Sequence, residues 1–174
     1  MLSGIFTFAL LLTNSINFAA LLPRSLDLVE EAFYLRAACT AGRPLHGSYL
    51  EIKQLSEYSP VFAVLNPAAQ APEQFSLNKG LLSCTKSSKS AYLYYGNTYG
   101  HLAFGDLSYK DSDFAIEKIE IGNSLTYELK AAFCAQEMEG GLFSVNYVFN
   151  ETDVSNEACI PIDLVVSLEF SLDF

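Results

Sequence analysis

The stretch from Phe75 to Phe104 constrains this chain most. Phe75 and Leu77 alternate with polar residues, Asn78-Lys79-Gly80 supplies a turn, and Leu81-Leu82 leads back toward Cys84. After a Ser/Lys-rich loop, Ala91 to Tyr95 forms a strand, Gly96-Asn97 to Gly100 turns it, and His101 to Phe104 returns. Glycine and asparagine suit the left-handed backbone that tight hairpin turns require. Two hairpins in a row cannot bury their apolar face alone, so the rest of the chain must supply an opposing layer.

The same texture runs along the chain. Strands are expected at Phe33–Ala38, Tyr49–Lys53, Val61–Leu65, Phe114–Ile121, Leu125–Ala135, Leu142–Phe149 and from Cys159 onward. The apolar phase slips between Ile116 and Ile119, which suggests a β-bulge at Glu117-Lys118. Leu125, Tyr127, Leu129, Ala131 and Phe133 keep a period of two, with a helix from Thr126 as the alternative. Pro161 places the start of the last strand on a sheet edge. Ten to twelve short strands with frequent turn signals indicate an all-β fold. The leading architecture is an antiparallel β-sandwich, and a β-trefoil is the alternative, set second because no threefold sequence repeat is visible.

Residues 1–20 contain no charged side chain and are almost wholly apolar from Ile5 to Leu12. This is the pattern of a secretory signal peptide, too short in its apolar run to span a membrane. Residues 21–174 then make one all-β domain. The chain carries 20 acidic against 10 basic residues, a formal net charge of −10, which disfavours nucleic acid as a partner. Asp163, Glu169 and Asp173 interrupt the C-terminal apolar run, so neither a membrane span nor a lipid anchor is expected there.

Export changes how the four cysteines read. Cys39, Cys84, Cys134 and Cys159 permit three pairings. Sequential pairing, Cys39 with Cys84 and Cys134 with Cys159, staples each half locally, and each bridge would contribute roughly 3–4 kcal/mol. The spacing and the presence of only two histidines speak against zinc. Asn150-Glu-Thr152 is a glycosylation sequon in a polar segment.

Catalytic groups are sparse. His46 and His101 read as turn and strand-end residues, and Asp106, Asp111 and Asp113 as solvated loop carboxylates without the spacing of a calcium loop. No catalytic residue, metal or cofactor is assigned. The densest aromatic cluster is Tyr92, Tyr94, Tyr95 and Tyr99. Within it Tyr92, Tyr94 and Tyr99 are the candidates for stacking on a sugar, against ordinary cross-strand packing.

The order Phe33-x-Leu, Gly42-Arg-Pro-Leu-His-Gly47, Phe75-Ser-Leu-x-x-Gly-Leu-Leu82, Ala91-Tyr-Leu93, Leu102-x-Phe104 and Cys159-Ile-Pro-Ile-Asp-Leu-Val-Val166 resembles the small secreted fungal cell-wall proteins of the PhiA type. The resemblance implies a secreted or wall-bound protein with a role in wall integrity and no established catalytic residue. Two functional expectations follow. One is a non-enzymatic, wall-associated protein with a structural or host-interaction role, whose partner is wall polysaccharide or a host protein. The other is a lectin-like carbohydrate-binding module using the tyrosine-rich face.

Overall fold

The computed structural model describes residues 28–39, 43–57, 59–95, 99–106, 108, 110–149 and 159–169. The expected signal peptide and Asn150 lie outside the described residues. Twelve strands follow in chain order: β1 (Leu28–Ala38), β2 (Tyr49–Gln54), β3 (Val61–Asn66), β4 (Phe75–Asn78), β5 (Leu81–Cys84), β6 (Ser90–Tyr95), β7 (Tyr99–Gly105), β8 (Phe114–Ile119), β9 (Gly122–Tyr127), β10 (Phe133–Glu137), β11 (Phe143–Val148) and β12 (Ile160–Ser167). The fold is all-β, and every ladder is antiparallel.

The pairings divide the strands into two sets. In the first, β12 pairs β1, β1 pairs β4, β4 pairs β5, β8 pairs β9 and β9 pairs β12. The amide of Phe114 donates to the carbonyl of Gly80 at 3.1 Å and brings β8 against the β4–β5 turn. These six strands each send two alternate residues into one core. Phe33 and Leu35, Phe75 and Leu77, Leu82 and Cys84, Phe114 and Ile116, Leu125 and Tyr127, and Ile162 and Leu164 all belong to it. Full burial of a Leu or Phe side chain stabilises by about 1.5–3 kcal/mol, so this layer is a large source of stability together with Leu50, Leu65, Leu102 and Tyr147 of the remaining strands in the same cluster.

In the second set, β2–β3, β6–β7 and β10–β11 are hairpins that meet one another in a cycle. The start of β3 pairs the end of β7 (Val61 with Phe104). The start of β7 pairs the end of β11 (Gly100 with Tyr147). The start of β11 pairs the end of β3 (Phe143 with Leu65). The register repeats in each pair at intervals of four strands. Three cyclically paired hairpins beside six further strands are the connectivity of the β-trefoil alternative, and all twelve strands join one antiparallel hydrogen-bonded network, as the all-β sandwich or barrel-like class requires.

Local expectations fared unevenly. The first strand begins at Leu28, ahead of Phe33. The Leu125–Ala135 strand is in fact broken. Glu128 and Leu129 adopt positive φ (49° and 62°), Lys130 bonds back to Tyr127, and Leu129 is exposed. The alternation through Leu129 is thus coincidental, and a two-residue turn separates β9 from the segment leading to β10. The bulge at Glu117-Lys118 is absent. The β8–β9 ladder runs unbroken from Phe114–Tyr127 to Ile119–Gly122, and the slip reflects Ile119 lying half-buried on the face opposite Phe114 and Ile116, with Ile121 exposed in the turn beyond it. Pro161 faces Cys134 of β10, while the β1–β12 ladder stops at Asp163, so on its β1 side Pro161 lies past that ladder's last described pair.

One disulfide forms, between Cys134 and Cys159, with Cα atoms 5.5 Å apart. The Cys39–Cys84 bridge does not: both are free thiols. Cys84 lies opposite Phe75, and Phe75 opposite Phe33. Cys39 is six residues further along from Phe33, roughly 20 Å at strand rise, whereas a disulfide needs Cα atoms within about 7 Å. Cys84 serves instead as a small barrel-core side chain, its thiol 3.7 Å from a carboxylate oxygen of Glu73.

Candidate functional site

An aromatic ladder runs from the core to the surface. Phe114, Tyr127, Tyr147, Phe149 and Tyr95 follow one another with ring centroids 5.0, 5.1, 5.4 and 5.4 Å apart. The first three rings are buried. The last two are exposed, Phe149 by 42% and Tyr95 by 66%. The inner contacts are tilted or edge-on, whereas Tyr95 and Phe149 lie nearly parallel, 14° between planes. Strand geometry explains the position. Leu93 and Tyr95 of β6, Gly100 and Leu102 of β7, and Val145 and Tyr147 of β11 lie on the core-facing rows of their strands. At the hairpin end those rows run out past the core, and the rings that belong to them emerge there.

Gly100 makes the stack fit. A Cβ at Gly100 would stand 3.0 Å from Cζ of Phe149 and 3.0 Å from Cβ of Leu93. The bare backbone therefore forms the seat on which the Phe149 ring rests.

Carboxylates gather behind this ladder. Asp111 Oδ2 accepts the Leu93 amide at 2.8 Å, and the Asp111 amide donates to Ala91. The Glu128 amide donates to the carbonyl of Asp113. Burial, reinforced by the charges of Asp111, Tyr95, Glu128 and Asp113, holds the Tyr127 phenol well above the ordinary tyrosine range. Burial does the same to Tyr147, with Glu128 adding to it, and the Tyr147 hydroxyl donates to the Tyr127 carbonyl at 3.1 Å. Asp111 is thus a pinned structural acceptor beside β6 rather than a solvated loop carboxylate.

The tyrosines singled out by sequence take a different geometry. Tyr92 and Tyr94 lie on the face of β6 opposite to Tyr95. Tyr94 is 47% exposed but meets Phe62 edge-on at 79°. Tyr99 is half-buried and meets His101 edge-on at 75°, and Tyr92 is half-buried too. The ring contacts of Tyr94 and Tyr99 are thus both edge-on, to Phe62 and His101. Sequence reasoning left out Phe149 and Gly100. The alternation of Val145, Tyr147 and Phe149 is the signal that points to the first, and nothing local points to the second.

A concavity of about 940 Å³ lies along β1 and β12, away from the aromatic ladder. Arg36, Cys39, His46, Asp163 and the Cys134–Cys159 bridge line it. His46 Nδ1 accepts the backbone amide of Cys39 at 3.2 Å. Burial raises the Cys39 thiol against the lowering effect of Arg43, so it is held as the protonated, weakly nucleophilic form. Burial likewise raises the Asp163 carboxyl. Among the described residues no group of His, Cys, Asp and Glu is placed to hold a metal ion, and no helix is long and apolar enough to cross a membrane.

No family model, no curated protein and no solved structure matches the chain.

Proposed function

We propose that this is a secreted, wall-associated protein that acts without catalysis, by docking sugar on an exposed aromatic surface. The observation that carries the reading is the Tyr95–Phe149 pair: two exposed rings stacked nearly parallel on one another, with Tyr95 the more exposed of the two. A ring face offers flat, electron-rich area at low entropic cost, and a buried ladder beneath holds it in place. The uncharged N-terminal stretch, the disulfide, the Asn150 sequon and the resemblance to PhiA-type wall proteins support location outside the cell, in or near the wall. The resemblance also supports a role in wall integrity.

The sugar surface expected at Tyr92, Tyr94 and Tyr99 moves, on this reading, to the opposite face of the same hairpin. The test is a binding screen of the purified, oxidised protein against chitin, glucan and mannan, with Tyr95→Ala beside the wild type. Retention of the wild type and release of the variant support the proposal. Absence of binding to every polysaccharide leaves the host-interaction role and ends the sugar reading.

A further inference from the structure

The internal threefold makes it natural to ask whether three sugar sites exist. The cyclic register identifies the equivalent positions directly. Tyr95 and Gly100 are the last paired residues of the β6–β7 hairpin. Gln54 and Val61 hold those places in β2–β3, and Glu137 and Phe143 in β10–β11. Phe149 lies two residues beyond Tyr147, the partner of Gly100. Its equivalents lie two beyond Phe104 and Leu65, namely Asp106 and Pro67.

One corner of three thus combines two aromatic rings with a glycine seat. The other two have side chains where the seat would be, valine and phenylalanine, and a polar residue where the outer ring would be. The backbone pairing repeats but the ring platform does not. Packing alone does not call for this exception, since Val and Phe serve at the equivalent positions.

We infer that the chain carries a single sugar site, created by Gly100, and that its ligand is a neutral pyranose with equatorial substituents. The inference rests on the proposed sugar reading. A free ring face accepts a flat patch of C–H groups. Equatorial substitution leaves such a patch on a pyranose, whereas an axial hydroxyl at C2 interrupts it. Asp111, Asp113 and Glu128 cluster around Tyr127, behind the two rings. Lys110 and Lys130 are their exposed sequence neighbours. In a chain of formal net charge −10 these carboxylates add to a negative local potential that repels uronates and sulfated sugars and leaves neutral ones unopposed. Gly100 is a positioning residue, acting through Phe149.

The experiment is calorimetric titration of the full mature protein with laminarihexaose and chitohexaose, with mannohexaose and oligogalacturonate as competitors, and native mass spectrometry for the count. One hexasaccharide binds per chain. Tyr95→Ala and Gly100→Val each weaken binding by about tenfold or more. Gln54→Ala and Glu137→Ala, at the equivalent corners, bind as the wild type does. Thermal unfolding of Tyr95→Ala, a surface substitution, separates site loss from misfolding. Two or three bound hexasaccharides, or full binding by Tyr95→Ala, overturn the single site while leaving the sugar reading intact. Equal binding of mannohexaose or oligogalacturonate overturns the ligand class. Failure of the wild type to bind any neutral hexasaccharide removes the sugar reading itself and the inference with it.

Discussion

Phe149 rests directly on the backbone of Gly100, so that a single added methyl would stand 3.0 Å from the Phe149 ring. The two lie far apart in sequence, and the β7–β11 register brings them together. Gly100→Ala must displace the ring or the strand. Overpacking of this kind costs about 1–3 kcal/mol. The expected outcome is a lower melting temperature together with a changed near-ultraviolet circular dichroism signal from the displaced aromatic pair. An unchanged spectrum would mean that the ring has another seat.

Gly80 holds a second close approach. Its φ is +79°, and a Cβ there would overlap the carbonyl oxygen of Ser112. That clash involves backbone on both sides and cannot relax by a rotamer change. Lys79 before it also has positive φ, so the turn is of the type that fits the hairpin twist. Gly80→Ala is expected to cost on the order of 3 kcal/mol or more, well above Gly140→Ala, whose Cβ meets nothing within 4 Å. Denaturant unfolding of the two variants checks the order.

The cysteines separate into three behaviours. Reduction of Cys134–Cys159, which closes a 25-residue separation, is expected to lower stability by roughly 3–4 kcal/mol. Cys39, half-exposed with a raised pKa, labels slowly with a thiol reagent in the native protein and faster as the pH rises. Cys84, fully buried, labels only on unfolding. Peptide mapping that found Cys39 joined to Cys84 would contradict the strand register between them.

Asp163 gives a pH dependence with a definite sign. Burial raises its carboxyl above the ordinary aspartate value, so the folded state binds the proton more tightly than the unfolded state. The resulting stabilisation is present below the unfolded pKa and is lost as pH rises through the folded one. Asp163→Asn is therefore expected to be more stable than the wild type at neutral pH. The difference should vanish below the ordinary carboxylate range. Melting curves of both proteins across that interval test it, and a constant difference at all pH values would contradict it.

Most strands were legible because their buried residues alternate, and because glycine marks a real turn at Gly80. Reading failed where the same pattern has another cause. Leu129 continues an apolar period of two yet points to solvent, because Glu128 and Leu129 make a left-handed turn without glycine. Cys84 looked like half of a bridge, yet it occupies a core position next to Leu82 on the same row. The threefold was invisible because it resides in pairing register and not in residue identity: Gly100, Val61 and Phe143 share a place but no chemistry. The aromatic platform was hidden for the same reason, since Tyr95 and Phe149 belong to different hairpins.

The most direct measurement follows the aromatic ring protons by NMR as laminarihexaose is added to the oxidised protein. The account predicts that Tyr95 and Phe149 shift together and saturably, while Tyr92, Tyr94 and Tyr99 on the other face stay in place. Shifts confined to Tyr92, Tyr94 and Tyr99, or no shift at any ring, would contradict it.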